Sequence, residues 1–228
     1  MHLNSELLFK KHLLPYFKSN TKVLEIGADR LPTWYCETVN DTSIEWYTLD
    51  IQKHWDTLAI SKNNSATNRQ IVSKDEYHYP VEDNTFDVVF SGQVMEHVKN
   101  IWKWMDELKR ITKPGGLIIT ILPVSWPYHV APEVVDCWRI YPDGMKALME
   151  DKGLEILVNT FESLEKGMIP SHVPTLPGIG VDTAEELSAT KYKVIFSYYK
   201  LLSLVPGMSK LRRPIPVAYD AVSVVRKP

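Results

Sequence analysis

The chain has 228 residues, 44% of them hydrophobic and 24% charged, a balance of globular domains that excludes the disordered and collagen-like classes. Lys plus Arg number 26 and Asp plus Glu 28, giving a net charge of −2, which argues against a nucleic-acid partner. Two cysteines, Cys36 and Cys137, do not make a disulfide framework. No apolar run reaches the roughly 20 residues that a membrane-spanning helix needs. The N-terminal stretch lacks the uninterrupted apolar core and small-residue cleavage site of a secretory signal, so a cytoplasmic setting is expected.

In chain order, Leu3, Leu7, Leu8, Leu14 and Phe17 fall at helical spacings, so a first helix is predicted from Leu3 to Phe17, breaking near Pro15. Val23 to Gly27 (VLEIG) reads as a short buried strand ending at a glycine. Further strands are predicted at 44–50 (IEWYTLD), 69–73 and 86–90 (FDVVF). Trp104, Leu108 and Ile111 recur three or four apart and predict an amphipathic helix over 101–111, stopped before Pro114. Lys113-Pro114-Gly115-Gly116 reads as a turn and 117–122 (LIITIL) as a fifth buried strand. A helix over 143–152, a strand at 154–160, a helix over about 183–204 and a last strand at 217–225 follow. Between them, 162–182 is rich in Pro and Gly and reads as an excursion. Only four of the 15 prolines precede residue 120, so the two halves of the chain are built differently.

Strands that are unbroken apolar runs, alternating with helices, imply a mostly parallel sheet covered on both faces. The expected fold is α/β: a doubly wound, mostly parallel seven-stranded sheet, Rossmann-like, in a single domain. Residues about 20–125 would form a cofactor-binding core, and about 124–216 an acceptor-side lid. In such a sheet a ligand lies at the carboxyl ends of the strands. Those positions hold Glu25 to Asp29, Asp50, Asp75, Ser91 to His97 and the loop from Pro123. Gly27 lets a ligand approach the backbone, or is simply a strand-ending turn. Asp50 has the place of an acid that accepts both hydroxyls of a ribose, or of a helix cap. Asp29 and Leu31 stand two and four positions after Gly27, so a three-glycine pyrophosphate loop is missing, and a nucleoside without a diphosphate fits better.

VLEIGADR, the TLD that ends at Asp50, KDEYHYPVEDNTFDVVFSGQVMEHV and LKRITKPGGLIITILP together resemble the successive motifs of class I S-adenosylmethionine-dependent methyltransferases. The resemblance covers about residues 20–125 and departs from the family's pattern at Asp29, where a second glycine is usual. It implies S-adenosyl-L-methionine as cofactor, with Glu25, Gly27 and Ala28 beneath the methionine moiety, Asp50 and Ile51 at the ribose, and Asp75 and Glu76 flanking the adenine. Ser91 and Gln93 would line the methionine side.

Methyl transfer to a hydroxyl needs in-line placement of the acceptor and a base for its proton. His129, in the loop after the fifth strand, is the first choice for that base, and His97 the second. The ordinary readings are a solvated loop histidine and a helix-terminal one. The stretch from His129 to Glu155 resembles a subgroup linked to sugar and glycan biosynthesis. It implies that Asp136 orients His129 or an acceptor hydroxyl and that Trp138 and Arg139 contact the acceptor; Glu96, after the fourth strand, is a further candidate for acceptor contact. Core packing of Trp138 and an ion pair between Asp136 and Arg139 are the structural alternatives. Gln93, Glu96, His97 and His129 make an incomplete donor set for a divalent ion, so no metal is expected.

From residue 186 onward, eight Lys and Arg residues face only Glu186 and Asp220. This is either a basic surface for peripheral membrane contact or a helix with its lysines in water. The function expected is O-methylation of a small acceptor, a sugar of a glycan or glycosylated metabolite, with homo-oligomerisation left open. A methyltransferase of a non-sugar small molecule and a non-catalytic S-adenosylmethionine-binding scaffold are the alternatives.

Overall fold

The computed structural model describes residues 3–28, 30–51, 59–60, 69–126, 128, 135–164, 197 and 219–228. Seven strands form one sheet: β1 (Lys22–Ile26), β2 (Glu45–Ile51), β3 (Gln70–Ser73), β4 (Phe86–Gly92), β5 (Thr112–Ser125), β6 (Glu155–Glu162) and β7 (Tyr219–Arg226). Their order across the sheet is β3-β2-β1-β4-β5-β7-β6. The first five strands are parallel to their neighbours, whereas β7 runs antiparallel between β5 and β6. The mostly parallel, seven-stranded expectation is met. Leu31 and Arg30 also form a two-residue parallel bridge with Ala59–Ile60.

Alternate residues of each central strand enter different cores, as the period of two requires. Leu24, Ile26, Val89, Ile118 and Leu122 pack with α3 (Ile101–Ile111) and α4 (Pro142–Asp151) on one face. Val23, Val88, Phe90, Ile119 and Ile121 pack on the other face with Leu8 of α1 (Leu3–Leu8) and Tyr35 of α2 (Trp34–Val39). Both faces are therefore dry, which is why the strands read as continuous apolar runs.

Helix α3 has the predicted bounds, with Ile101, Trp104, Met105, Leu108 and Ile111 buried along one stripe. The Asn100 side chain caps its start by accepting from Lys103 N at 3.0 Å. Its end is closed from the far end of the chain: Lys227 Nζ donates to Lys109 O and Thr112 O and to Asn84 Oδ1, at 2.7–2.8 Å. An ammonium here meets both the last carbonyls and the negative end of the helix dipole. Lys227→Met is expected to cost about 1–2 kcal/mol, read as a lower thermal midpoint with no change in helix content below the transition.

Three elements differ from the predicted ones. The N-terminal helix is not continuous: α1 widens into a π-helical turn over Phe9–Leu13 and tightens into a 3₁₀ turn over Leu14–Tyr16. Its deeply buried positions are Leu8, Phe9 and Leu13 together with Asn4 and Ser5, rather than Leu3, Leu7 and Leu14. The predicted turn at 113–116 is a bulge inside a longer β5, since Phe86 pairs with Thr112 while Val88, two residues on, pairs with Leu117. Gly115, at φ +76°, turns the chain there. Helix α2 carries no periodic signal in its six residues; it is set by Thr33, whose hydroxyl accepts from Cys36 N at 3.1 Å. The excursion at 162–182, the helix expected over 183–204 and the basic surface from residue 186 fall almost wholly outside the described residues.

Candidate active site

The crossovers leave β1 and β4 in opposite directions, because β1 is followed by β2 on one side while β4 is followed by β5 on the other. A crevice opens at such a switch point, beyond the carboxyl ends of the strands. Gly27, Asp50, Asp75, Ser91 and Gln93 all lie along that edge, as expected.

At the end of β1, Gly27 adopts φ +78° and its N–H donates to Leu49 O at 2.9 Å. A Cβ here would stand 2.2 Å from Val94 Cγ2. The Val94 side chain fills the space a Cβ would take and locks the segment after β4 against the end of β1. Ala28 is buried beside it. Glu25 is buried too, and its Oε2 accepts from Thr33 Oγ1 at 2.5 Å and Trp46 Nε1 at 2.9 Å. The carboxylate thereby ties the cap of α2 to β2, a role that its placement beneath a methionine moiety did not include.

Asp50 and Ile51 end β2, half-buried, and the Ile51 N–H donates to Asp50 Oδ1 at 2.7 Å. Asp50 and Glu76 both lie near enough to buried Tyr79 to disfavour ionisation of its phenol, after burial itself and together with Glu107. The ends of β2 and β3 thus bring two acids to one patch. Asp75 instead closes a turn: its carboxylate accepts from Tyr77 N at 2.6 Å and meets His78 Nδ1 at 3.1 Å. The Tyr77 hydrogen bond holds its carboxyl below the usual range against the opposing effect of desolvation.

The segment after β4 has the most unusual geometry. Gln93 has φ +59°, a left-handed conformation uncommon for a residue with a side chain, fixed by its N–H donating to Ile121 O at 2.8 Å. Its Nε2 donates to Ser5 Oγ at 3.0 Å and Asp220 Oδ1 at 3.2 Å, so part of its amide serves α1 and β7. Gln93 Oε1 and Ser91 Oγ are buried without a hydrogen-bond partner among the described residues. Met95–His97 then form one 3₁₀ turn.

The turn is fastened to residues 135–139 by three contacts. Cys137 N donates to Glu96 O at 2.7 Å, His97 Nδ1 to Val135 O at 2.6 Å, and Trp138 Nε1 to Val98 O at 2.8 Å. Arg139 grips Asp136 with two hydrogen bonds of 2.5 and 2.7 Å, and its Nε donates to Trp126 O at 3.1 Å. Asp136 and Arg139 thus form an ion pair. Trp138, partly buried, packs against the core and edge-on to Trp102, with ring centroids 5.8 Å apart. His129 lies outside the described residues.

Glu96 is 1% exposed, and its Oε1 is 3.7 Å from His97 Nε2. Burial pushes its carboxyl up to about 8, Asp220 and Asp136 adding to the shift while its own N–H and Arg139 oppose it. Among the described residues no three His, Cys, Asp or Glu side chains are arranged to hold a metal ion. No helix among them is long and apolar enough to cross a membrane.

Sequence reasoning missed three members of this edge: Asn4, Ser5 and Asp220. Asp220 is fully buried and accepts from Asn4 Nδ2 at 2.8 Å, from Ser5 Oγ at 3.3 Å and from Gln93. These partners sit more than 100 residues from Asp220 in sequence, beyond the reach of any local pattern.

Residues 24–120 match the family described as a methyltransferase domain. A demethylmenaquinone methyltransferase of Staphylococcus saprophyticus is 35% identical over 126 residues, 54% of this chain and 52% of that protein. The chain spans about half or less of the length of the curated relatives it matches. An S-adenosylmethionine-dependent methyltransferase of Archaeoglobus fulgidus superposes with a TM-score of 0.56 at 19% identity, covering 98% of this chain and 92% of that one. A phosphoethanolamine N-methyltransferase 2 of Haemonchus contortus, solved with S-adenosyl-L-methionine, gives 0.53 at 14% identity, covering 98% and 52%. Over the stretch from β1 into β5 the chain thus matches a methyltransferase domain, and its fold is shared with solved S-adenosylmethionine-dependent methyltransferases.

Proposed function

We propose that the protein transfers the methyl group of S-adenosylmethionine to an oxygen of a small hydroxyl-bearing acceptor. The residues present suit the cofactor. Asp50, at the end of β2, offers carboxylate oxygens to ribose hydroxyls, and the buried acceptor atoms Ser91 Oγ and Gln93 Oε1 suit an ammonium group. When bound, the cofactor supplies an electrophilic methyl on a sulfonium.

The observation that carries an oxygen acceptor is the tautomer of His97. With Nδ1 donating to Val135 O, the lone pair of a neutral imidazole lies on Nε2, as a base for an acceptor hydroxyl requires. In the reaction the acceptor O–H breaks, its oxygen forms the new bond to the methyl carbon, the carbon–sulfur bond breaks to leave a thioether, and the proton passes to Nε2. His97→Ala is expected to lower kcat by about 100-fold or more with the affinity for S-adenosylhomocysteine retained. His129→Ala in parallel tests the histidine after β5 for the same role.

The three residues that pointed to a sugar, Asp136, Trp138 and Arg139, are engaged with one another and with the backbone. A sugar hydroxyl therefore stands as one member of the hydroxyl class. A quinone-derived ring acceptor, suggested by the name of the staphylococcal relative, is the other to assay. Incubation of the chain with methyl-labelled S-adenosylmethionine and extracts of neutral small metabolites tests the activity. Label recovered in methyl ethers supports the reading, whereas label recovered only on nitrogen or carbon contradicts the oxygen acceptor.

A further inference from the structure

We propose that Glu96 meets the acceptor as a neutral carboxylic acid, its Oε2 edge hydrogen-bonded to an uncharged hydroxyl, and so selects such acceptors over ammonium-bearing ones. This rests on the methyltransferase reading above and adds the acceptor's charge to it.

The first support is an unsatisfied atom. Glu96 Oε2 is buried with no hydrogen-bond partner among the described residues. Leaving such an oxygen unpaired costs about 1–3 kcal/mol, more if it is charged, and a bound ligand removes the cost. The second is position. Glu96 stands two residues beyond Val94, which covers Gly27 at the switch point, and it faces Asp136 and Arg139 from the 135–139 strap and Asp220 from the start of β7. The cofactor half of the edge is built by β1, β2 and β3, and Glu96 is the first buried acid on the other side of β4. The third is rigidity. The backbone of Glu96 and of Val98 and the side chain of His97 are all hydrogen-bonded to residues 135–138, which holds the turn carrying Glu96 in place.

Charge decides the class of acceptor. The groups around Glu96 are His97, Arg139, Asp136 and Asp220. Arg139 is committed in bidentate fashion to Asp136, and Asp220 already accepts from Asn4, Ser5 and Gln93. Arg139, itself paired with Asp136, opposes the shift only in part, and burial keeps the Glu96 proton on through neutral pH. A neutral carboxyl offers one donor and one acceptor, which a hydroxyl matches in both senses. An ammonium offers donors alone and would force a buried ionisation.

Benzyl alcohol and benzylamine are alike in shape and differ in that one property. Their binding to the S-adenosylhomocysteine complex of wild type, Glu96→Gln and Glu96→Ala, followed by NMR at pH 7, is the test. The alcohol should bind wild type and Glu96→Gln within about 2-fold of each other and Glu96→Ala about 10-fold more weakly. Raising the pH to 9.5 should weaken the alcohol in wild type but not in Glu96→Gln. Preferential binding of benzylamine that is lost in Glu96→Gln, equal alcohol affinity in all three proteins, or no alcohol binding would overturn the proposal. So would a Glu96 side-chain carboxyl resonance, assigned by its loss in Glu96→Gln, that titrates below pH 6. Calorimetry with S-adenosylhomocysteine separates the two levels: if wild type fails to bind it, the methyltransferase reading falls, whereas binding without alcohol selectivity removes only the role of Glu96.

Discussion

Glu96→Gln is expected to gain stability on wild type as the pH rises from 5 to 8, and to hold a constant advantage above that. The carboxyl releases its proton near 4.5 in an unfolded chain but only at about 8 in the fold. Between those values the unfolded state has lost a proton that the native state keeps. Wild-type stability attributable to this group is therefore full below pH 4.5 and falls as the pH climbs to about 8. The effect is on the order of several kcal/mol, since each tenfold change in a proton's dissociation constant corresponds to about 1.4 kcal/mol. Glutamine has no proton to lose, so the difference between the two proteins isolates the group from every other titration. Urea unfolding at pH 5, 6.5, 8 and 9 reads it. A difference that stays flat across this range would mean that Glu96 is ionised in the fold.

Asp50→Ala is expected to weaken S-adenosylhomocysteine binding by about 100-fold. A carboxylate accepting two ribose hydroxyls contributes through charge-assisted hydrogen bonds of about 1.5–3 kcal/mol each, only part of which survives as net affinity. The side chain is half-buried at the end of β2, where it accepts from the N–H of the next residue, Ile51. Calorimetric titration of the variant at 25 °C checks the affinity, and its unfolding curve checks the fold. Affinity within about 3-fold of wild type would move the ribose away from the end of β2.

The two variants draw on different layers of the sequence. Asp50 was legible because a parallel strand buried on both faces shows as an apolar run, and the first polar residue after it stands at the ligand edge. The same logic located Gly27, Ser91 and the bounds of α3, whose stripe repeats cleanly. Glu96 was visible only as a residue near that edge. Its surroundings include Cys137, Val135 and Asp220, which the fold brings in from distant parts of the chain. Gly27 shows the limit well: its positive φ could be guessed from sequence, but not that Val94 would fill the space above it. Helix α2 escaped because six residues do not complete two turns, and its start is fixed by Thr33 and Glu25 rather than by periodicity. The π-helical turn at Phe9–Leu13 shows why α1 was misread: Asn4 and Ser5, polar on paper, are the buried face because Asp220 needs their donors.

In the proposed arrangement the methyl donor lies over β1 and β2 and the acceptor beyond the end of β4, with Ser91 to His97 at the boundary. A crystal structure of the chain with S-adenosylhomocysteine tests that arrangement directly. The ribose should lie on Asp50, and the sulfur should stand between Gly27 and Ser91 with its vacant methyl direction toward Glu96 and His97. A sulfur pointing toward β3, or a ligand bound away from the β1–β4 crevice, would contradict it.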